Sequence, residues 1–284
     1  MDTVGGARAL AARELKRAGV ESATLTADLL LGHVLGWDRV QVVSRPEAPL
    51  SAEAGKQFRD LLRRRARGEP LQYLTGEQEF YGLRFRVSPD VLIPRPETEV
   101  LVEKAVSLAR GCRRQPVRFA DVGTGSGCIA VGVAHEVSDS FGCAVDISTR
   151  ALAIARENAS RHGVLGRIRF LSCDLLEGLR PEPYFDFILS NPPYVARTEY
   201  NTLPLIVREH EPHIALFADQ SGFDAHRRLI PQAAAQLVPG GYLLVEVGLG
   251  QAEEVTRMIL QVKLSLEAVL SDLQGIARCV VARK

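Results

Sequence analysis

The sequence predicts an α/β protein in three parts. Residues 1–79 read as a small helical N-terminal domain, residues 80–95 as a β-hairpin linker, and residues 96–284 as a mainly parallel sheet closed by an antiparallel C-terminal hairpin. Three observations carry this. Good helix formers dominate the first eighty or so residues. The stretch FYGLRFRVSPDVLI, Phe80 to Ile93, alternates apolar and polar residues as strands do. After Gln115, short apolar runs alternate with helical stretches, the pattern of parallel βαβ units covered on both faces.

In chain order, Ala7 to Arg17 predicts the first helix, and Thr26 to Leu35 a second with Thr26 as its cap. Ser51 caps a third running to about Arg67, with Phe58, Leu61 and Leu62 on one face, and Gly68-Glu69-Pro70 ends it. The run from Lys56 to Arg67 within that helix holds Lys56, Arg59, Arg63, Arg64, Arg65 and Arg67 against Asp60 alone, either a solvated face or a docking surface for an RNA-bearing or acidic partner. The hairpin is expected to turn at Ser88-Pro89-Asp90. Pro94 to Glu99 opens the next helix, because proline suits a first helical turn and Glu97 and Glu99 suit the positive end of its dipole. Strands follow at Val117–Val122, Phe141–Val145, Ile168–Ser172, Phe185–Leu189 and Tyr242–Val247, with helices such as Thr149–Arg161 and Phe223–Leu237 between them. Leu266–Lys284 reads as two strands around Asp272-Leu273-Gln274-Gly275.

Composition excludes several classes. Lys and Arg number 35 against 34 Asp and Glu, a net charge of +1, which argues against capture of nucleic acid by the whole protein's field. No apolar run approaches the roughly 18 residues that span a bilayer. Asp2, Glu14, Glu21 and Asp28 make the first thirty residues a poor secretion or transit signal, so a cytoplasmic protein is expected. Cys112, Cys128, Cys143, Cys173 and Cys279 show no zinc-site spacing and no disulfide framework. No metal is expected, and the histidines receive no catalytic role.

In an open α/β sheet, ligands bind beyond the carboxyl ends of the strands. Four strand ends carry suitable groups. Gly123-Thr124-Gly125-Ser126-Gly127 follows the first strand; it is either a ligand-accepting turn or a tight turn alone, and its spacing differs from the dinucleotide fingerprint. Asp146 follows the second, placed to accept from both hydroxyls of an unphosphorylated ribose or to cap the next helix. Asp174 follows the third, with Leu175 beside it: an adenine contact or a surface aspartate. Asn191-Pro192-Pro193-Tyr194 follows the fourth. A planar NH₂ group has two N–H donors and a delocalised lone pair. The Asn191 side-chain oxygen and the Pro192 carbonyl can each accept one of those protons and aim the nitrogen at an electrophilic methyl. Pro193 stiffens the turn, and the Tyr194 ring can cover the substrate's flat face. Such orientation supplies up to about 7–11 kcal/mol, so no strong base is required. The competing reading is a rigid proline turn.

On these residues the sequence resembles class I S-adenosylmethionine-dependent methyltransferases with an Asn-Pro-Pro-Tyr motif. Pro70 to Gly76, Phe80-Tyr81-Gly82 and Leu92 to Glu99 further resemble the peptide chain release factor N5-glutamine methyltransferase family (PrmC, also called HemK). So do Glu211-Pro212, Ala215-Leu216, Gly222-Phe223, Asp272, Gly275 and Arg278, and the likeness spans nearly the whole chain. It implies a Rossmann-like class I methyltransferase sheet and methylation of the glutamine in the Gly-Gly-Gln motif of class I release factors, with S-adenosyl-L-methionine as donor and S-adenosyl-L-homocysteine as product. Carried over, Gly123 to Gly127 hold the methionine part, Asp146 the ribose, and Asp174 with Leu175 the adenine. Asn191 faces both ligands, and Asn191 to Tyr194 grip the substrate glutamine. Arg95 and Glu97 are secondary candidates for the pocket rim. The resemblance also implies a substrate-recognising N-terminal domain, and a monomer without stable nucleic-acid binding or membrane attachment is expected. Leu175 stands where some members have an aromatic residue, so it packs on adenine rather than stacking. The rival readings are methylation of an exocyclic amine of a DNA or RNA base, a non-catalytic ribosome- or RNA-binding module on the same fold, and a dinucleotide oxidoreductase.

Overall fold

The computed structural model describes residues 3–112 and 114–284. They fall into two compact units: one runs to Glu77 and takes in Pro204–His210, and the other comprises Gln78–Leu203 and Glu211–Lys284.

The first unit is helical, with α1 Val4–Arg17, α2 Ala23–Leu35, α3 Arg39–Ser44, α4 Ala52–Ala66 and α5 Leu71–Thr75. Leu15, Leu30, Leu31, Phe58 and Leu62 close its core. Ser51 caps α4 as its position predicts, accepting from the Ala54 N–H at 3.2 Å. Thr26 is not a cap: α2 starts at Ala23 after a left-handed Ser22, and Thr26 is buried within the helix. The short α3 rests on a reciprocal cap between Asp38 and Gln41. The fully buried Asp28 accepts from Arg8 at 2.5 Å and Arg39 at 3.3 Å. Part of the basic run on α4 is answered locally, Arg63 by Asp60 and Arg64 by Glu69.

The second unit opens with the hairpin β1 Glu77–Phe80 and β2 Leu83–Arg86. Its turn is Tyr81-Gly82, both with positive φ (54° and 71°), rather than Ser88-Pro89-Asp90. Two-residue turns of this hand match the twist of paired strands; Ser88 and Asp90 instead form a local turn in the irregular stretch that follows. The hairpin packs on this unit: Phe80 and Phe85 enter its core, and Asn158 exchanges hydrogen bonds with both the N–H and the carbonyl of Arg86. A single 3-10 turn, Pro96–Thr98, leads into α6 Glu99–Arg110.

Then come β3 Val117–Val122, α7 Cys128–Glu136, β4 Ser140–Asp146, α8 Thr149–Arg161, β5 Ile168–Ser172 and β6 Phe185–Ser190. The chain continues through α9 Leu205–His210 (part of the first unit), α10 His213–Leu216, α11 Asp224–Gln236, β7 Leu237–Glu246, α12 Ala252–Gln261, β8 Ser265–Ser271 and β9 Ala277–Arg283. β7 starts earlier than Tyr242, because Leu237 already pairs with Phe185 before a register shift. The seven-stranded sheet has the order β5-β4-β3-β6-β7-β9-β8, parallel through β7 and antiparallel at β9 and β8. Alternate residues feed opposite faces: Phe119 and Leu189 join Val102 and Val131, while Ala120 and Ile188 join Leu229 and Ile259. Strand order reverses where β6 is laid beside β3, and that is where loops part to leave a crevice. Among the described residues no helix is long and apolar enough to cross a membrane, and no group of His, Cys, Asp or Glu is arranged to hold a metal.

Candidate active site

Register builds the site. Val122 at the end of β3 lies between Val145 of β4 and Ser190 of β6, so the loops that start at Gly123, Asp146 and Asn191 leave adjacent strand ends. Asp146 in turn pairs with Ser172, which brings Cys173-Asp174-Leu175 to the same edge. A cavity of about 300 Å³ opens there, lined by Gly123, Thr124, Gly125, Ser126, Asp146, Asp174, Leu175, Asn191 and Pro193 among others. That volume suits a small cofactor.

The glycine loop is tied down from below. Asp121, fully buried, accepts from the Thr124 hydroxyl at 2.6 Å and the Ala130 N–H at 3.0 Å. Burial pushes its carboxyl up to about 7, against those two hydrogen bonds. Asp146 accepts from the Gly125 N–H and the Ser148 N–H, both at 2.9 Å. It is not the cap of α8; Ser148 is, accepting from Ala151. Burial raises the Asp146 carboxyl, again against its N–H donors. A carboxylate has about four acceptor positions, so capacity remains for a ligand.

Asn191 donates through Nδ2 to the Thr98 hydroxyl at 3.1 Å, and Thr98 in turn meets Glu246 Oε2 at 2.7 Å. The Asn191 carboxamide oxygen is thereby left as an acceptor. The Tyr194 hydroxyl lies 3.4 Å from the other Glu246 oxygen, and burial first, then Glu246, raises its pKa. Glu246 is itself buried, and its carboxyl is pushed up to about 7 by desolvation, opposed by the Thr98 hydrogen bond and by Arg278.

Residues 7–76 match the profile described as PrmC N-terminal domain, and residues 98–214 the one described as Methyltransferase small domain. The release factor glutamine methyltransferase of Bradyrhizobium diazoefficiens is 43% identical over 98% of this chain and 93% of its own length. The protein of the same name from Koribacter versatilis is also 43% identical, over 96% of each chain. This chain belongs to the release factor glutamine methyltransferase family. Solved structures agree on the fold. A methyltransferase from Pyrococcus furiosus superposes with a TM-score of 0.52 at 16% identity, over 72% of this chain and 90% of its own. A SAM-dependent methyltransferase from Agrobacterium tumefaciens gives 0.50 at 16%, over 73% and 68%.

The expected residues do not all reach the cavity. Gly127 stands outside its lining: a Cβ there would lie 3.0 Å from the Ala155 Cβ, so the glycine serves close packing of α7 on α8. Pro192 is buried, and neither it nor Tyr194 lines the cavity. Asp174 does, but half-exposed and paired with Arg228 at 2.5 Å, and Arg228 also holds Glu177 at 2.8 Å. Arg95 reaches the wall while bound to the buried Glu211, whose other oxygen accepts from the Ile93 N–H. Glu97 does not line the cavity. Sequence reasoning missed Thr98, Glu246, Arg228 and the Glu211 carboxylate as parts of this region. Thr98 sat inside the noted Pro-Arg-Pro-Glu-Thr-Glu stretch, and Glu246 at a strand's carboxyl end was the available signal.

Proposed function

We propose that this methyltransferase transfers a methyl group from S-adenosyl-L-methionine to the side-chain amide nitrogen (N5) of the glutamine in the Gly-Gly-Gln motif of class I peptide chain release factors. The cavity fits the donor by its own features. Nothing stands within 4 Å of the space a Cβ would take at Gly125. The buried Ser126 hydroxyl makes no hydrogen bond of ordinary geometry among the described residues, and Asp146 keeps acceptor capacity toward a ribose. Gly123, Thr124, Gly125 and Ser126 hold the methionine part, Asp146 the ribose, and Asp174 with Leu175 the adenine. Bound there, S-adenosyl-L-methionine supplies an electrophilic methyl on a sulfonium.

The chain's own residues then do the work of orientation. The Asn191 oxygen and the Pro192 carbonyl each accept one N–H of the substrate carboxamide, which fixes its nitrogen and leaves its π face presented. Tyr194 stays a neutral phenol across the neutral range and bounds the substrate side. No base is needed before transfer: as the N–C bond would form the sulfonium S–C bond would break, leaving the thioether of S-adenosyl-L-homocysteine, and the N–H proton, acidic once the nitrogen carries the methyl, would pass to water. Residues 1–79 recognise the release factor, and residues 80–95 join them to the catalytic part, 96–284.

The observation that carries this reading is the Asn191 Nδ2 to Thr98 hydrogen bond, which leaves the amide oxygen to grip an NH₂. The test is transfer of labelled methyl to purified release factor, to a factor with its Gly-Gly-Gln glutamine replaced, and to nucleic acid. Label on the intact factor alone is expected. Label on nucleic acid and none on the factor overturns the reading in favour of base methylation.

A further inference from the structure

The tetrapeptide's asparagine is the far end of a hydrogen-bond chain that begins at a buried carboxylate the catalytic reading does not use. Glu246, the last residue of β7, is held on both sides. It pairs in register with Cys279 of β9, and its carbonyl accepts from the Nε2–H of buried His226 at 2.9 Å. Its carboxylate is 2.7 Å from the Thr98 hydroxyl, and both side chains are buried.

We propose that Glu246 and Thr98 are positioning residues that lock the Asn191 carboxamide in one of its two orientations, so that its oxygen rather than its NH₂ faces the substrate nitrogen. This rests on the reading of Asn191 given above. An ionised carboxylate can only accept, and a threonine has one hydroxyl proton. That proton goes to Glu246, so only lone pairs of Thr98 remain for Asn191. The Asn191 NH₂ donates to them at 3.1 Å. Turned over, the amide would set its oxygen against an oxygen with no proton to offer, and would present two N–H donors to a substrate NH₂ that also has only donors. Rotation about one side-chain torsion would therefore abolish the grip, and nothing in Asn191 itself prevents it. The second Glu246 oxygen lies 3.4 Å from the Tyr194 hydroxyl, so one carboxylate touches the last side chain of the tetrapeptide directly and reaches the first through Thr98.

The lock depends on the charge of Glu246, whose carboxyl burial pushes up to about 7. The groups acting on it are Glu97 from the 3-10 turn, Tyr194 after β6, Arg278 and Cys279 of β9 and Cys128 of α7, with His226 of α11 at its carbonyl. A protonated Glu246 offers a proton of its own, which frees the Thr98 hydroxyl to turn toward Asn191 and removes the bias.

The test compares full-length wild type with Thr98→Val, Thr98→Ser and Glu246→Gln, each checked for folding by thermal melting. With release factor as substrate, Thr98→Val should lower kcat by about tenfold or more, with the dissociation constant of S-adenosyl-L-methionine within about threefold of wild type. Thr98→Ser keeps the hydroxyl and should restore kcat to within about threefold. Glu246→Gln should flatten the fall in turnover on the acid side of neutrality. A Thr98→Val enzyme as fast as wild type overturns the lock. So does Thr98→Ser as slow as Thr98→Val, or a loss confined to donor binding. A second readout does not depend on activity. The Asn191 side-chain NH₂ signals in a ¹⁵N-labelled sample should show slowed hydrogen exchange in wild type and Thr98→Ser, and lose it in Thr98→Val. Equal exchange in all three removes the lock even if the enzyme methylates release factors. A wild type that protects these protons but leaves release factor unlabelled instead removes the substrate assignment and keeps the lock.

Discussion

A methyl group on Gly222 would stand 2.6 Å from the carbonyl oxygen of Tyr194. The Gln251 side-chain amide donates to that carbonyl at 2.9 Å, and its nitrogen would itself stand 3.0 Å from the added methyl. Gly222, at φ 80°, therefore sets how far the end of the Asn-Pro-Pro-Tyr loop approaches α11. Gly222→Ala must push this carbonyl away or strain its own backbone, at a cost of about 1–3 kcal/mol. The expected result is a lower urea midpoint together with a fall in kcat for release factor methylation. A variant with the wild-type midpoint and rate would show that the loop does not depend on this contact.

The glycine turn allows a cleaner separation. Gly125 and Gly127 both have positive φ, 54° and 82°. A Cβ at Gly125 meets nothing within 4 Å, whereas one at Gly127 meets Ala155 at 3.0 Å. Both alanine variants carry the left-handed backbone penalty of about 1–2 kcal/mol, and only Gly127→Ala adds a clash between helices. Gly127→Ala should thus be the less stable in chemical denaturation. Gly125→Ala, which fills space in the cavity, should lose more affinity for S-adenosyl-L-methionine in calorimetry. The reverse ranking would mean that Gly127, not Gly125, faces the ligand.

Local chemistry made most of the fold legible. Ser51 as a cap, the βα alternation and strands ending at Val122, Val145 and Leu189 follow from side-chain pattern and turn chemistry, and the structure has the cap and the alternation and ends those strands at Val122, Asp146 and Ser190. The closing motif is equally local: Asp272 accepts from the Gln274 and Ile276 N–H groups and pairs with Arg278 at 2.9 Å, which folds the last hairpin. What could not be read was long-range. The Ser88-Pro89-Asp90 signal outweighed Tyr81-Gly82 because proline turns are conspicuous and a tyrosine at positive φ is not. Thr98 meets Asn191 only because α6 and β6 converge across 93 positions, and Glu246 reaches Thr98 across 148. No periodicity encodes such pairs. Gly127 looked like its neighbours Gly123 and Gly125, and only the packing of α8 distinguishes it.

Asp146 tests the donor half of the site by itself. Its oxygens already serve the Gly125 and Ser148 N–H groups, so an acceptor shared with a ribose is hydrogen-bonded from several sides. Asp146→Asn replaces one acceptor oxygen by a donor and sets an NH₂ against an N–H. Binding of S-adenosyl-L-methionine should weaken by about tenfold or more, while kcat at saturating donor stays within about threefold. Unchanged affinity in a folded variant would move the ribose contact elsewhere.

The pH dependence of stability isolates Glu246. Its carboxyl is raised from 4.5 to about 7 in the folded protein, chiefly by desolvation. Between those values the folded chain keeps the proton and the unfolded chain has released it, so stability falls as pH rises through this window. Below 4.5 both forms hold the proton, and above about 7 neither does, so the contribution is flat outside it. Asp121, also raised to about 7, adds a fall of the same sign, and buried His226, lowered by desolvation, adds a rise. Both are present in wild type and in Glu246→Gln, so they cancel in the difference. The melting temperature of wild type minus that of Glu246→Gln should therefore decrease between about pH 4.5 and pH 7, with a slope no steeper than about 1.4 kcal/mol per pH unit once converted to free energy. A gap constant across that range would mean that Glu246 titrates as an ordinary exposed carboxylate, and the charge that Thr98 answers to would then be present at every pH tested.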